Sequence, residues 1–200
     1  QVNKNNQFIK KVKCFNDINS NSKINAMLSI EGGESIEDNL DNIQHFYNKG
    51  VRIFTLCWNY ENNIGFGAFT KSTEGLKPFG REAIKIMNDI NMVIDVSHLN
   101  EAGFWDLYKM AKKPFIATHS NSYTICNHYR NLKDEQLKAI KECEGIVGIN
   151  LYPKFLTNNN IATEEDIFKH IEYIGNLIGY DKICLGGDFD GIEETPKNLE

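Results

Sequence analysis

Two histidines stand at the ends of neighbouring apolar segments. His98 closes Met-Val-Ile-Asp-Val-Ser-His, and His119 closes Phe-Ile-Ala-Thr-His 21 residues later. Glu31 closes a third apolar segment. Two imidazoles and one carboxylate are ligands that zinc takes in catalytic sites, with one position left open for water. The pattern therefore predicts a metal site, although each histidine alone also suits a core residue that bonds a backbone carbonyl.

Two further charged residues suggest catalytic chemistry. Asp188 lies in Gly-Gly-Asp-Phe-Asp-Gly, where its carboxylate could exchange a proton with a metal-bound water or could simply cap a turn. Arg130 lies in the polar loop after His119, where it suits bidentate binding of a substrate carboxylate or is a solvated loop residue. Trp58 follows a predicted strand and could form a wall of the same pocket.

The elements that would position these residues follow a regular βα rhythm. Six apolar segments alternate with five crossover segments, most of them with helical periodicity. The strand segments are apolar throughout instead of alternating, so we expect parallel strands that are covered on both faces. The predicted strands are 26–31, 51–57, 92–98, 114–119, 146–151 and 182–188.

Helix signals lie before and between these strands. The spacing of Phe8, Ile9, Val12 and Phe15 predicts a helix within residues 1–25. The other expected signals are a capping box at Ser35 and Asp38, a stop at Gly50, Pro78 as a first helical residue, Asn100 and Thr163 as N-caps, and a helix near 133–143 that stops at Gly145.

Two architectures fit parallel strands, and the polar residues favour one of them. Glu31, His98, His119, Asn150 and Asp188 all stand at or just past the C-terminal ends of different predicted strands. A β/α barrel gathers those ends into one ring, whereas a doubly wound sheet spreads them along an edge. We therefore predict an α/β fold, a TIM-type (β/α)8 barrel with about six of its eight βα units in this chain.

Composition excludes several classes of protein. The chain has 200 residues, a formal charge of −5 and 41% hydrophobic residues, which is ordinary for a globular domain. It has no basic footprint for nucleic acid and no apolar run of the ~18 residues that a membrane span needs. The five cysteines form no C-x-x-C pair and are odd in number, which favours a reducing compartment and a cytoplasmic location.

Longer motifs resemble the renal (membrane) dipeptidase family of zinc metallopeptidases, in a bacterial-type member. The matching pieces keep the family's order and cover about residues 30–191. They are Ile-Glu-Gly-Gly (30–33), Gly-Val-Arg-Ile-Phe-Thr-Leu (50–56), Gly-Leu-Lys-Pro-Phe-Gly-Arg-Glu (75–82), Ile-Asp-Val-Ser-His (94–98), Thr-His-Ser-Asn-Ser (118–122), Tyr-Arg-Asn-Leu (129–132), Gly-Ile-Asn-Leu-Tyr-Pro (148–153) and Gly-Gly-Asp-Phe-Asp-Gly (186–191).

The resemblance implies a role for each matching residue. The family has an eight-stranded β/α barrel with two zinc ions, which a glutamate and a water bridge. Glu31 would be that bridge, and His98 and His119 would complete one zinc site. Asp188 would handle the proton of the catalytic water, and Arg130 would hold the carboxylate of a dipeptide.

The chain departs from the family pattern in three places. The His-x-Asp pair of the family's first strand is absent, so only one zinc site is complete here. Trp58 lies close to where many relatives carry a histidine that touches the substrate. The family's C-terminal helical segment is absent after Glu200. We therefore expect residues 1–200 to be a single barrel domain that lacks its first strands and its C-terminal segment.

The expected function is hydrolysis of the peptide bond of a dipeptide by a metal-bound hydroxide. Two alternatives remain open: another binuclear barrel hydrolase that acts on a lactone, cyclic amide or phosphoester, and a non-catalytic fragment that lacks one metal site. The expected partners are a dipeptide substrate and, from the resemblance, a second copy in a homodimer. No nucleic acid or membrane-spanning segment is expected.

Overall fold

The computed structural model describes residues 8–18 and 23–199. Its strands are β1 (Ile9–Lys11), β2 (Ile24–Ala26), β3 (Leu28–Glu31), β4 (Val51–Thr55), β5 (Val93–Asp95), β6 (Phe115–Ile116), β7 (Val147–Asn150) and β8 (Ile183–Gly186). Its α-helices are α1 (Asp41–Lys49), α2 (Pro78–Asp89), α3 (Glu101–Met110), α4 (Asp134–Glu142), α5 (Pro153–Leu156) and α6 (Glu164–Ile178).

Strands β3 to β8 form one parallel arc in chain order. Strands β3, β4, β5 and β6 pair in that order, and β7 pairs with β8. A parallel bridge between Ala117 and Val147 joins the two groups, and the Gly148 amide donates to the Ala117 carbonyl at 2.7 Å. A sequential parallel order with helical crossovers is that of a TIM-type barrel, whereas a doubly wound sheet reverses its order. The predicted fold class is confirmed.

The core lies where the arc packs against its helices. All four residues of β7 are buried, and Phe54, Phe115 and Ile149 contribute fully buried strand side chains. Leu107 on α3 and Ile140 on α4 are likewise inaccessible. Burying an apolar side chain of this size stabilises a fold by about 1.5–3 kcal/mol. The centre of the arc is therefore held rigidly, which is what a precise site at its strand ends requires.

Several predicted helix signals are confirmed. Pro78 is the first residue of α2, and Gly50 ends α1 with φ of 102°. The Asn100 side chain accepts the Gly103 amide as the N-cap of α3, and Thr163 forms a capping box with Asp166 before α6. These signals are local, because each side chain caps backbone within a few residues of itself.

The predicted N-terminal helix is wrong within the described residues. Residues 9–11 form the short strand β1, which pairs in parallel with β2, and Phe15 is 85% exposed. Residues 1–7 and 19–22 of the predicted segment lie outside the described residues. Val12 is buried but Phe8 is exposed, as Phe15 is, so these residues share no buried helical face, and parallel pairing with β2 overrode the spacing.

The predicted capping box at Ser35 and Asp38 is also wrong. Ser35 lies inside a short 3-10 turn, Gly33–Ile36, and α1 begins only at Asp41. Asp38 has φ of 59°, a left-handed conformation that cannot continue a helix. The predicted strand 26–31 is split in two, because β2 pairs with β1 and β3 pairs with β4.

The arc leaves no room for a side chain at Gly148. A Cβ atom there would collide with the backbone carbonyl oxygen of Thr118, just after β6. We expect Gly148→Ala to lower the free energy of unfolding by about 1–3 kcal/mol, as over-packing does. Urea titration of the full chain would measure this. Gly65→Ala is the matched control, since its Cβ would meet nothing closer than 3.5 Å; equal losses in both variants would contradict the expectation.

Candidate metal centre

Glu31, His98 and His119 converge at the carboxyl end of the arc. Glu31 Oε1 lies 3.0 Å from His98 Nε2 and 3.3 Å from His119 Nε2. The two Nε2 atoms are 2.9 Å apart. The predicted convergence of these three side chains is present, and their nearest ligand atoms could all reach one ion.

The register of the sheet explains the convergence. Glu31 pairs with Thr55, Thr55 with Asp95, and Asp95 with Ile116, so these strands end at the same level. His98 and His119 each follow three residues after the last paired residue of their strands. His98 has φ of 70°, a left-handed conformation rare for a residue with a side chain and typical of functional sites.

The protonation states of His98 and Glu31 suit a metal ion. Burial lowers the pKa of His98 to about 4, so its ring is neutral near pH 7. Contact with the ring of His119, and next with that of His98, holds the pKa of the Glu31 carboxyl well below its usual range. Two ring nitrogens 2.9 Å apart cannot both present lone pairs to each other, so a proton or another cation must lie between them. A neutral imidazole beside an ionised carboxylate fits zinc.

The remaining nitrogen of each ring also has a partner. His98 Nδ1 lies 3.0 Å from Asn59 Oδ1, and His119 Nδ1 lies 2.8 Å from Thr118 Oγ1. Contacts of this kind fix the orientation of ligating histidines. Sequence reasoning did not identify Asn59, although its place just after β4 was a usable signal.

Asp188 lines the same cavity as Glu31 and His98. The cavity has a volume of about 590 Å³ and is lined by Glu31, His98, Arg130 and Asp188 among others. Asp188 follows β8 with φ of 57°, and its Oδ2 accepts from the Asn150 amide at 3.3 Å. The Gly191 amide donates to the Asp188 carbonyl at 2.8 Å, so the backbone forms the turn while the carboxylate remains at the cavity wall.

Arg130 is a buried cation, not a solvated loop residue. It is only 5% exposed, and its guanidinium lies 5.4 Å from the ring of Phe155. Burial lowers its pKa to about 10, which the charges of Asp95, Glu31 and Asp188 oppose, so the group stays charged at neutral pH. Its Nη2 has no hydrogen-bond partner among the described residues. A buried, unpaired guanidinium at a cavity wall suits an incoming carboxylate.

Aromatic rings line the mouth of the cavity. Trp58, predicted as a wall, is 47% exposed with its ring 6.2 Å from that of His98. His128 lies 4.2 Å from the ring of Tyr129 and 4.6 Å from that of Phe155, and burial lowers its pKa to about 4. Sequence reasoning did not assign His128 or Phe155 to the site, because nothing local to them signals the cavity.

Comparison with known proteins identifies the family. The model of the membrane dipeptidase family, peptidase family M19, matches residues 1–200. The chain belongs to this family. It is 40% identical over 181 residues to an uncharacterised protein in the pqqA 5′ region of Klebsiella pneumoniae, covering 85% of this chain and 67% of that protein.

Other relatives extend beyond the chain. It is 34% identical to an uncharacterised dipeptidase of Schizosaccharomyces pombe, covering 100% of this chain and 50% of that protein. The chain is also similar to a metallopeptidase from Rhodobacter sphaeroides, whose crystal structure is liganded with a phosphinate mimic of the dipeptide L-Ala-D-Ala. The match has a TM-score of 0.89 at 30% identity and covers 96% of this chain and 58% of that protein's chain. The chain thus spans about half to two thirds of these proteins.

None of the helices within the described residues is both long and apolar enough to cross a bilayer.

His170 supports the loop that carries Arg130. It is fully buried on α6, where its Nδ1 accepts from the Ser122 amide at 3.1 Å and its Nε2 lies 3.0 Å from the Leu156 carbonyl. Because Nδ1 accepts, Nε2 carries the proton and donates it. The ring therefore links the loop after β6 to the end of α5, in agreement with the structural role expected for a buried histidine.

This neutral histidine makes stability depend on pH. Burial lowers the pKa of His170 from 6.5 to about 4. As pH falls, His170 therefore takes up a proton in the unfolded state at a higher pH than in the folded state. The free energy of unfolding decreases between about pH 6.5 and pH 4, by about 3 kcal/mol in total. Urea titrations of wild type and His170→Gln across this range would test the contribution. The variant should lose less stability on acidification, and parallel curves would contradict the expectation.

Proposed function

We propose that the protein is a zinc-dependent dipeptidase in which Glu31, His98 and His119 hold a metal ion. The observation that carries the proposal is the convergence of these three ligands beside the buried, unpaired guanidinium of Arg130. A metal site and a carboxylate-binding cation in one cavity suit a short substrate with a free carboxyl end. Family membership and the dipeptide mimic bound to the Rhodobacter sphaeroides relative support the same substrate class.

Each residue of the cavity has a different role in hydrolysis. When bound, zinc lowers the pKa of a coordinated water to about 7 and polarises a carbonyl oxygen. Asp188 accepts the proton of the attacking water and passes it to the leaving amine. Asn150 holds the Asp188 carboxylate through its 3.3 Å contact. Arg130 binds the carboxylate end of the substrate. This favours dipeptides over longer chains, because anchoring that end places the adjacent peptide bond at the metal site.

Trp58 would contact a substrate side chain at the open end of the cavity. Its ring is half exposed and lies beside His98, so an entering dipeptide would cover it. The nearby exposed rings of Tyr60, Phe69 and Tyr129 continue this apolar wall through edge-to-face contacts at 5.5–6.2 Å. The large apolar area offered here would stabilise a bound apolar side chain.

We further propose that additional βα units would complete this single barrel domain and would supply ligands for a second zinc ion, to which Glu31 would also bind. The supporting observation is that the two outer strands of the arc are poorly covered. Leu185 on β8 is 74% exposed, and β3 has exposed residues that alternate with half-buried ones. Glu31 lies on the outer strand β3, and its side chain is 43% exposed. A second ion held by residues of a further strand could therefore also bind its carboxylate.

All five cysteines are free thiols, and Cys57 and Cys126 are buried. Free thiols are typical of reducing compartments, which supports the proposed cytoplasmic location.

Removal of one metal ligand should separate metal binding from folding. We expect His98→Ala in the full chain to lose the zinc held by this site, because two ligands remain where three converged. Elemental analysis of dialysed protein would measure zinc per chain, and circular dichroism would confirm folding. His45→Ala is the control, since His45 is an exposed histidine on α1. Zinc retained at the wild-type level in His98→Ala would refute the assignment.

Removal of the buried cation should weaken substrate binding without loss of stability. We expect Arg130→Met to lower kcat/KM for dipeptides by about 10–100-fold, which corresponds to the loss of a hydrogen bond to a charged group. Its melting temperature should stay or rise, because an unpaired buried charge is replaced by an apolar chain.

Steady-state kinetics and thermal melts would measure both effects, with zinc content unchanged. Arg81→Met is the control, because Arg81 is partly exposed and pairs with Asp106 on the outer helices. Unaltered kinetics in Arg130→Met would refute a role for Arg130 in substrate binding.

A further inference from the structure

A buried carboxylate lies directly behind the metal-ligand candidates. Asp95, the last residue of β5, is fully buried and accepts four hydrogen bonds. Its Oδ1 accepts the backbone amides of Ser97 and Thr118, both at 2.9 Å. Its Oδ2 accepts the hydroxyl groups of Thr55 and Thr118, both at 2.6 Å. Asp95 does not line the substrate cavity, so its role must act through its neighbours.

The direction of each hydrogen bond follows from what each group can donate. A carboxylate only accepts, so the single hydroxyl proton of Thr118 points to Asp95. The same Thr118 oxygen lies 2.8 Å from His119 Nδ1. Since its proton is already used, Thr118 must accept there, and His119 Nδ1 must donate. Nδ1 therefore carries a proton.

We propose that Asp95 and Thr118 are positioning residues that fix the tautomer of His119. The hydrogen-bond chain from Asp95 through Thr118 keeps the proton on Nδ1, so Nε2 carries the lone pair that could bind an ion held together with Glu31 and His98. The opposite tautomer would point an N–H bond into the site and block ligation. The metal-binding part of this inference rests on the proposed function. The tautomer can be measured without metal, where the proton between the two Nε2 atoms would belong to His98 and face Glu31 Oε1, 3.0 Å away.

One nearly isosteric substitution should reverse the direction of the hydrogen bonds that run from residue 95 through Thr118 to His119. In Asp95→Asn, the amide oxygen must replace Oδ1, because that position faces two backbone N–H groups. The amide NH2 then replaces Oδ2 and donates to the Thr118 hydroxyl. Thr118 must turn its own proton toward His119 Nδ1, which leaves the ring proton on Nε2. The variant keeps the shape of the site and reverses the polarity of one ligand.

Long-range ¹H–¹⁵N correlation spectra of the metal-free full chain, labelled at histidine, would identify the tautomer of His119 at mildly alkaline pH. We expect the Nδ1–H form in wild type and the Nε2–H form in Asp95→Asn. Thr118→Val should lose the preference for Nδ1–H, and Thr118→Ser should restore it. Thr55→Val is the matched control, because Thr55 binds the same Oδ2 at the same 2.6 Å but is not hydrogen-bonded to His119.

Competition with a zinc chelator would measure the consequence for metal affinity. We expect Asp95→Asn and Thr118→Val to weaken zinc binding by about 10–100-fold, the usual effect of removing a partner of a ligating histidine. Thr55→Val and Thr118→Ser should stay close to wild type. This pattern cannot arise from general loosening of the strands, since both Thr→Val variants remove one hydroxyl from one carboxylate oxygen.

Three outcomes decide the proposal. An Nε2–H tautomer in wild type would overturn it, as would equal changes in Thr118→Val and Thr55→Val. The predicted tautomers in a wild-type protein that binds no zinc would support the positioning chain and refute the proposed metal function. If Asp95→Asn does not fold, the Thr118→Val, Thr118→Ser and Thr55→Val comparison alone decides.

Discussion

The buried carboxylate of Asp95 is the interaction on which the site depends. It ties the ends of β4, β5 and β6 together through two hydroxyl groups and two backbone amides. Without these four donors, a carboxylate at full burial would be strongly unfavourable. With them, it sets the level at which the strands end, and the candidate ligands His98 and His119 emerge from those ends. The polar centre of the arc therefore stabilises the sheet and orients the site at the same time.

A second constraint is the burial of Arg130 without a direct partner. An unpaired guanidinium destabilises a fold, so the surrounding loop must be held by other contacts. The ring of His170 links that loop to α5 and α6, and the amide side chains of Asn121 and Asn131 both donate to the Phe155 carbonyl. These contacts hold the loop in place, which would reduce the entropy cost of binding the proposed substrate.

Two of the residues for which chemistry is proposed have a strained backbone. His98 and Asp188 both adopt left-handed conformations just beyond strand ends, although neither is a glycine. Such conformations persist only where surrounding contacts overdetermine them, as the 3.0 Å contact of His98 with Asn59 and the 3.3 Å contact of Asp188 with Asn150 do here. The apolar residues of the outer strands are less covered than those of the central strands, since Leu28 and Ile30 on β3 are half-buried and Leu185 on β8 is exposed.

The sequence by itself determined the βα rhythm, the parallel fold class and the strand ends that carry Glu31, His98, His119 and Asp188. These features are local, because periodicity and caps such as Asn100 involve residues near each other in the chain. Only the tertiary structure decided that residues 9–11 form a strand, that Arg130 is buried, and that Asp95 and Thr118 stand behind His119. Each of these depends on partners that are distant in sequence, as Thr55 and Asp95 are, 40 residues apart. The local spacing of residues does not indicate such partners.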